Sequence, residues 1–381
     1  MDHKKNLNSS SIASDSEEAA TALPNSQRRR LLKSSLATGV LFSSANPASQ
    51  AQGLVEKDAT SNIAVPKIAK GLRLVTFSPT ADQKPRIGVV LNDGQVIDIA
   101  MELQNSKMVS SFDPYSMLSL IHRGNEGLNQ IQEIQSRAMR LRIMRPTVNQ
   151  VKLFSPIPRP QSNIYAVGWN YLDHFEEGRE ARADKAIQEF PKNPVFFTKG
   201  VYTMNGPFDP IPFDATNSIQ ADWEVELALI IGKTGRNISE EKAMDYVYGY
   251  SVYNDTTLRE VQQKRHGGQW FKGKSLDGYG PMGPWILTAD AVDLNQTRLI
   301  CRVNGVEKQN GTYAQMYFKI PRIIAELSRG LTLEAGDIIA TGTPPGVGFS
   351  RKPPEFLKPG DIMESEVTGI GIIRNPIRSE V

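Results

Sequence analysis

The clearest pattern in this chain is an alternation of apolar and acidic residues between Asp222 and Gly232. In a β-strand, successive side chains point to opposite faces. One predicted face is wholly apolar and consists of Trp223, Val225, Leu227, Leu229 and Ile231. The other face begins with acids and then turns apolar, in the order Asp222, Glu224, Glu226, Ala228 and Ile230. Because a solvated face would stay polar, the pattern places these acids at the mouth of a buried region.

Carboxylates so close together are costly when both are ionised. They repel one another, and each loses hydration where little water reaches it. A hard divalent cation held by Glu224 and Glu226 would remove both costs, since such ions prefer carboxylate oxygens. An edge strand that simply carries acids is the alternative that this segment leaves open.

Most of the remaining chain alternates short apolar runs with turn residues. The pattern predicts strands at Arg73–Phe77, Arg86–Leu91 and Gln95–Ile99, and the last two are joined by a tight turn at residues 92–94. Helical periodicity predicts helices at Pro114–Ala138, Asn170–Arg182, Ser239–Tyr246 and Lys319–Arg329. Three prolines between residues 156 and 160 indicate a domain boundary near residue 150. Together these elements predict the α+β class.

A histidine and a glutamate lie three residues apart at the start of the second predicted helix. His174 and Glu177 therefore face the same way. A carboxylate that orients an imidazole raises its basicity, so the pair can act as a general base. Asn170 suits the N-cap of this helix, with Asp173 as its reciprocal partner. A His–Glu pair on a helix surface is the alternative.

Asp255 and Lys274 each have a functional and a structural interpretation. Asp255 follows an apolar stretch, so it falls at a strand end where its side chain can enter a cleft. The Asp–Thr pair at this position could equally cap a helix. Lys274 lies between Gly273 and Ser275, and a lysine among small residues can approach an anion or a developing oxyanion. A solvated lysine is the alternative.

Charge and composition exclude several classes of protein. The 381 residues carry 44 lysines and arginines against 41 acids, and six and four of these fall in the first 51 residues. The nearly neutral remainder argues against a nucleic-acid-binding protein. A single cysteine, Cys301, excludes an internal disulfide and a cysteine metal cluster, and four histidines argue against a His-rich zinc site.

Residues 1–51 are predicted to be a disordered head followed by an export signal. Arg28-Arg29-Arg30 precede a charge-free stretch with a short apolar core at Leu36–Phe42, and Ser49-Gln50-Ala51 has the form of a cleavage site. This order resembles a twin-arginine signal and predicts a periplasmic protein that engages the twin-arginine translocon during export. The apolar core is too short to span a bilayer, so no stable membrane insertion is expected. A basic tail on a cytoplasmic protein is the alternative.

Taken in order, these segments resemble the fumarylacetoacetate hydrolase family over about residues 160–378. The matching motifs are Asn170-Tyr171-x-x-His174-x-x-Glu177, Pro194–Lys199, Glu224-Val225-Glu226-Leu227-Ala228, Asn254-Asp255 with Arg259 and Gln262, Gly273-Lys274-Ser275-x-Asp277, and Thr341–Gly348. The earlier segment Leu72–Ile99 is similar to the small β-rich N-terminal domain of bacterial members. The implied organisation is a linker at 52–70, an N-terminal domain at 71–150 and a catalytic domain at 151–381.

The resemblance implies a mixed β-roll or sandwich catalytic domain, usually in a homodimer. It also implies one Mg²⁺ or Mn²⁺ held by Glu224, Glu226 and Asp255. By the same resemblance, His174 with Glu177 would activate a water molecule.

The remaining roles that the resemblance implies concern the substrate. Lys274 and Gln262 would hold a developing oxyanion, and Lys199, Arg259 and Thr343 would bind the substrate carboxylate. The implied reaction is metal-dependent hydrolysis of a C–C bond in a 2,4-dioxo acid such as an acylpyruvate. The family also contains isomerases, oxaloacetate-type decarboxylases and ureidoglycolate-type lyases, which the shared residues do not separate. An exported protein that binds metal and ligand without turnover is the alternative from another class.

Overall fold

Most strands of this protein belong to two sheets in the computed structural model, which describes residues 62–80, 83–141, 143–179 and 189–380. The predicted export signal and the first part of the predicted linker lie outside these residues. Within the described ranges, the larger sheet contains eleven strands. They are β1 (Arg73–Ser78), β2 (Arg86–Val90), β3 (Val96–Asp98), β4 (Lys152–Phe154), β5 (Ile164–Gly168), β6 (Val195–Lys199), β7 (Met204–Asn205), β10 (Val225–Ile231), β12 (Val247–Asn254), β14 (Gly280–Thr288) and β18 (Ile338–Ala340).

The second sheet has five strands, and two further pairs of short strands flank the sheets. The five-stranded sheet contains β8 (Ile211–Phe213), β15 (Arg298–Val303), β16 (Val306–Thr312), β19 (Ile362–Val367) and β20 (Gly371–Ser379). The short pairs are β9 (Ala221–Asp222) with β13 (Thr257–Leu258), and β11 (Gly235–Arg236) with β17 (Thr332–Leu333). The strand order is β3-β2-β1-β14-β12-β10-β18-β5-β6 along the larger sheet and β16-β15-β19-β20-β8 along the smaller one.

The α-helices of the described ranges are short apart from one. They are α1 (Ile99–Ser106), α2 (Met117–His122), α3 (Gly124–Arg140), α4 (Leu172–Glu177), α5 (Phe271–Lys274) and α6 (Ile320–Leu327). None of them is both long and apolar enough to cross a membrane.

Strand β10 lies at the centre of the larger sheet and is buried on both faces, as its alternation predicts. Leu227 and Leu229 pack into one apolar core, while Ala228 and Ile230 pack into a second core on the opposite face. Burial of this apolar surface is the main favourable contribution to folding.

The strands and helices together form a mixed α+β fold. The α+β class predicted from the sequence is therefore confirmed.

Several predicted helices differ in detail from the observed ones. The helix expected over Pro114–Ala138 is two helices, α2 and α3, which meet at Gly124 with its positive φ of 52°. The helix expected over Ser239–Tyr246 is a 3₁₀-helix over Glu240–Tyr246. Helix α1 was not predicted, because its apolar first residue Ile99 continues the apolar run of β3.

The N-terminal strands extend the larger sheet. Strand β1 pairs antiparallel with β14, with Arg73 opposite Leu287, and β2 and β3 continue the sheet outward. Strand β4, which follows α3, returns to pair with β1. The domain boundary near residue 150 stays a prediction, and across it the two parts share one sheet.

Candidate active site

Four strand ends of the larger sheet converge on one point. Strand β10 pairs antiparallel with β12 on one side and with β18 on the other, and β18 pairs in parallel with β5. The beginning of β10 therefore lies beside the ends of β12, β18 and β5. This register places Asp255, just after β12, next to Glu224, and its backbone N–H donates to the Glu224 carbonyl at 2.9 Å.

Three buried carboxylates form a cluster at this point. Oxygens of Glu224, Glu226 and Asp255 lie within 4.8 Å of one another. All three residues are at most 5% exposed. The predicted metal-ligand residues thus come together, although they are up to 31 positions apart in the sequence.

Two lysines and an arginine partly neutralise the cluster. Lys274 Nζ lies 2.9 Å from Glu224 Oε2 and 2.7 Å from Asp255 Oδ2. Arg259 Nη1 lies 2.6 Å from Glu224 Oε1, and Lys199 Nζ lies 2.6 Å from Asp255 Oδ1. Asp255 is therefore held between two lysines and does not cap a helix.

The charges divide the cluster into two kinds of carboxylate. Burial alone would raise the pKa of Glu224, but Lys274, Arg259 and His174 together lower it to about 2. For Glu226, burial and then the charges of Asp255 and Glu224 raise the pKa well above its usual value. Its Oε2 accepts the backbone N–H of Gly342 at 2.7 Å, and no ion pair with Glu226 occurs in the described ranges.

The donor set fits a hard divalent cation. The three side chains offer only carboxylate oxygens, and these are the ligands that Mg²⁺ and Mn²⁺ prefer. Burial and the neighbouring carboxylates disfavour the ionised form of Glu226 and raise its pKa, and a divalent cation beside it would favour that form.

The predicted base pair lies beside this cluster. Helix α4 places His174 Nδ1 2.8 Å from Glu177 Oε1. An ionised Glu177 can only accept in this bond, and the neutral imidazole that donates from Nδ1 presents Nε2 as a base. Glu177 Oε2 accepts the backbone N–H of Gly346 at 2.8 Å, and Gly346 has a φ of 106° that favours glycine. His174 is buried, so the exposed-pair alternative is wrong.

Asn170 does not cap this helix. The N-cap position is Tyr171, and no side-chain hydrogen bond caps the helix there. The Asn170 amide instead accepts from the Phe318 N–H at 2.8 Å and donates to the carbonyls of Phe318 and Thr341. The predicted N-cap is therefore wrong, and Asn170 fastens the start of α4 to two distant loops.

A residue that the sequence left without a role, Asp222, organises the arginine and the loop after β18. Its Oδ1 accepts the Gly348 N–H at 2.7 Å, and its Oδ2 accepts Arg259 Nε at 2.7 Å and the Phe349 N–H at 3.0 Å. The same loop holds Glu177 through Gly346. The acidic face of the predicted strand was the signal for this residue, but its partners lie 37 to 127 positions away.

The residues that the family resemblance implies for substrate binding lie in different environments. Arg259 lines the cavity and keeps Nη2 without a partner among the described residues. The Gln262 carbonyl oxygen accepts from Arg259 at 3.2 Å, which leaves its amide N–H groups as donors. The Thr343 hydroxyl donates to the Val225 carbonyl and accepts from Gln309.

Lys199 is placed elsewhere than the resemblance implies. Its side chain is fully buried, and its ammonium donates to Asp255 and to the carbonyls of Thr256 and Tyr279. All three N–H donors of the ammonium group are therefore used, and none is left for a substrate carboxylate. The structure therefore gives Lys199 the position of a support for Asp255.

A cavity of about 500 Å³ opens over the cluster and the base pair. Its polar lining comes from His174, Glu189, Glu224, Glu226, Arg259, Gln262, Gln263, Lys274 and Thr343. Aromatic side chains of Trp169, Phe197, Trp270 and Phe349 also line it. Trp169 directly precedes the motif of His174, Trp270 lies three residues before the motif of Lys274, and neither had a predicted role.

A mixed α+β fold with a buried carboxylate cluster beside a histidine defines the class of enzyme. The family model described as fumarylacetoacetate (FAA) hydrolase C-terminal matches residues 163–378. The chain belongs to the fumarylacetoacetate hydrolase family and is an enzyme of that family.

Similar proteins of known sequence are named for a tautomerase activity. The chain is 38% identical over 312 residues to a Xenopus laevis protein named oxaloacetate tautomerase fahd2, mitochondrial, and this match covers 81% of the chain and 91% of that protein. It is also 38% identical over 297 residues to oxaloacetate tautomerase YisK of Bacillus subtilis, covering 76% of the chain and 95% of that protein.

Two similar solved structures carry hydrolase names. A fumarylacetoacetate hydrolase of Exiguobacterium antarcticum matches with a TM-score of 0.64 and 36% identity, covering 81% of this chain and all of that chain. Maleylpyruvate hydrolase from Sphingobium sp. SYK-6, solved with manganese(II) ion and pyruvate, matches with a TM-score of 0.63 and 31% identity at the same coverage.

Proposed function

We propose that this protein is a divalent-metal-dependent tautomerase that interconverts the keto and enol forms of 2-oxo acids of the oxaloacetate type. The observation that carries the proposal is the placement of the His174–Glu177 pair beside the carboxylate cluster in one cavity. The names of the relatives in Xenopus and Bacillus support the same reaction class.

The chain's own residues suit a proton transfer at the carbon next to the keto group. Nε2 of His174 would take that proton, while Glu177 holds the ring orientation and stabilises the imidazolium. The side-chain amide of Gln262 is the donor available to the developing enolate oxygen. Lys274 Nζ already donates to Glu224, Asp255 and Thr257, so its charge stabilises the enolate from behind these groups. A Mg²⁺ or Mn²⁺ held by Glu224, Glu226 and Asp255 would supply Lewis-acid stabilisation of that charge. Proton loss from carbon and proton gain at oxygen balance the reaction without a further reactant.

Hydrolysis of a 2,4-dioxo acid, the activity implied by the sequence resemblance, is the second candidate. Maleylpyruvate hydrolase, whose solved complex holds manganese and pyruvate, favours it. The same His174–Glu177 pair would then deprotonate water. Both candidates require the metal and the base, but only hydrolysis releases a 2-oxo acid from an acylpyruvate.

A single experiment separates the two candidates and tests the base. Oxaloacetate dissolved as its enol is followed by the decay of enol absorbance with added Mg²⁺ or Mn²⁺, and acylpyruvate cleavage is followed by pyruvate release. We expect metal-dependent acceleration of the first reaction. His174→Ala should lower kcat by about 10²–10⁴-fold, the range for a lost general base.

The control for this experiment is His122→Ala, which changes an exposed histidine on α2 outside the cavity lining. Its kcat should match that of the wild type. Enolisation by His174→Ala at the wild-type rate would refute the assigned base, and pyruvate release without enolisation would favour the hydrolase.

A further inference from the structure

One side of the cavity is an aromatic wall formed by Phe197, Trp270 and Trp169. The ring centroids of Phe197 and Trp270 are 5.3 Å apart, and those of Trp270 and Trp169 are 4.8 Å apart, both in edge-to-face arrangements. Lys274 Nζ lies 5.1 Å from the centroid of Phe197. The three rings are therefore in contact in the order Phe197, Trp270 and Trp169, and Phe197 lies beside Lys274 of the cluster.

The backbone is shaped to hold this wall in place. A Cβ atom on Gly168 would lie 2.4 Å from Cζ3 of Trp270, so only glycine lets the indole rest against the end of β5. The next residue, Trp169, has a φ of 55°, a left-handed conformation that is an outlier for a bulky side chain. Such strain persists where the surroundings enforce it, typically at ligand clamps and active sites.

The chemistry of this side differs from that of the cluster. Val167, Val195 and Pro191 add further apolar surface beside the three aromatic rings. Among the described lining residues, the two positive side chains, Arg259 and Lys274, are already paired with buried acids. The remaining charged lining residue outside the cluster, Glu189, is exposed and negative, so it would repel a second substrate carboxylate. A polar or charged group placed there would lose hydration without compensation, whereas an apolar group would gain by burial.

The size of the cavity leads to the same conclusion. About 500 Å³ lies within the range that proteins use for drug-sized ligands. Pyruvate and oxaloacetate are far smaller, so either would leave the aromatic wall largely uncovered.

We propose that the aromatic wall is a subsite for an apolar, preferably aromatic, substituent on the carbon next to the keto group. This inference rests on the proposed function, because it assumes that the carboxylate-cluster end holds the 2-oxo acid. Edge-to-face packing of a substrate ring against Trp169 and Trp270 would add favourable contact. Oxaloacetate, which carries a carboxylate at that carbon, would then be a weaker ligand than an aryl-substituted or alkyl-substituted 2-oxo acid.

The test compares two 2-oxo acids that differ only by a phenyl group. Pyruvate and phenylpyruvate, each equilibrated beforehand between its tautomers, are titrated calorimetrically into the full chain with Mg²⁺. Because no net reaction then accompanies binding, the readout is the Kd. We expect phenylpyruvate to bind at least about tenfold more tightly, since a single methylene in an apolar pocket already contributes roughly 10–200-fold.

Variants of the wall test whether the preference comes from it. Trp169→Leu and Trp270→Leu should each move the ratio of the two Kd values toward one. Tyr202→Leu is the matched control, because Tyr202 is an exposed aromatic residue outside the cavity lining. It should keep the wild-type ratio.

The outcomes are distinguishable from those for the proposed function. Equal Kd values in the wild type, or an unchanged ratio in both tryptophan variants, would overturn the subsite even if oxaloacetate is enolised. A tenfold preference lost in the variants would support the subsite even if none of these acids is turned over, and then the proposed function alone would fail.

Discussion

At the scale of single residues, Asp222 is the side chain on which most of the site depends. It accepts four hydrogen bonds, from the N–H groups of Trp223, Gly348 and Phe349 and from Arg259 Nε, while being fully buried. Two of these bonds fix the loop that also holds Glu177. One carboxylate therefore fixes both the arginine beside Glu224 and the partner of the base.

Asp222→Asn should destabilise the protein by about 3–5 kcal/mol, as breaking a buried ion pair from one side does. The new NH₂ group would face N–H donors, and Arg259 would keep only Glu224 of its two charged partners. Denaturant unfolding of the metal-free protein measures this loss. The matched control is Glu366→Gln, which weakens a half-buried pair with Arg302 and should cost about 0–1 kcal/mol. Equal losses in the two variants would contradict the role of Asp222.

At the scale of elements, local periodicity identified the strand that carries the metal ligands. Apolar and acidic residues alternate along β10 because each face meets a different environment, and this signal lies within ten residues. The acids at its beginning are buried as predicted. The sequence could therefore place Glu224 and Glu226 on one face without any knowledge of the rest of the fold.

Local signals failed where a side chain prefers a distant partner. Asn170 has the properties of an N-cap, yet it bonds to backbone groups at Phe318 and Thr341, at least 148 positions away. Asp255 and Lys199 behave in the same way, because the fold pairs them across 56 positions. Capping preference is an intrinsic tendency, and a buried network of bonds outweighs it.

The order of the motifs along the chain identified site residues that hydrophobic periodicity alone could not identify. The resemblance brought His174, Asp255 and Lys274 into one expected site. In the structure His174 and Lys274 line the cavity, and the buried Asp255 is paired with Lys274. Neither hydrophobic periodicity nor the order of the motifs predicted the aromatic wall. Trp169 and Trp270 are distant in sequence, and nothing local distinguishes a cavity-lining tryptophan from one in the core.

At the scale of the whole molecule, the predicted export of the chain can be tested independently of its chemistry. Replacing Arg28 and Arg29 by lysine keeps the charge but should block export, because the translocon reads the arginine pair as an address. Alanine at Lys4 and Lys5 removes two charges outside the motif and should leave export unchanged. Cell fractionation and N-terminal sequencing provide the measurement, with a mature start expected near Gln52. Native protein in the cytosol with residues 1–51 attached would refute the prediction.

The stability of the whole molecule should depend on pH through Glu226. Burial and two neighbouring carboxylates raise the pKa of this carboxyl in the folded state. The folded protein then binds its proton more tightly than the unfolded chain does, so the free energy of unfolding falls as pH rises above the usual glutamate range. Glu226→Gln removes this contribution. Without metal, the variant should therefore melt at a higher temperature than the wild type at neutral pH, and the difference should shrink as the pH is lowered.

Metal should reverse the order of the two melting temperatures. The Glu226 carboxylate destabilises the metal-free protein, and it is also a group that would bind the cation. Mg²⁺ or Mn²⁺ that binds only the folded state stabilises it by about 2.7 kcal/mol at 100 times its Kd. The wild type should therefore gain in melting temperature on metal addition and lose that gain with EDTA, while Glu226→Gln should respond little to either. Glu366→Gln, which changes an acid remote from the cluster, should follow the wild type in both conditions. A wild type whose melting temperature is insensitive to metal, or a metal-free variant less stable than the metal-free wild type at neutral pH, would contradict the assignment of Glu226 as a ligand held under electrostatic strain.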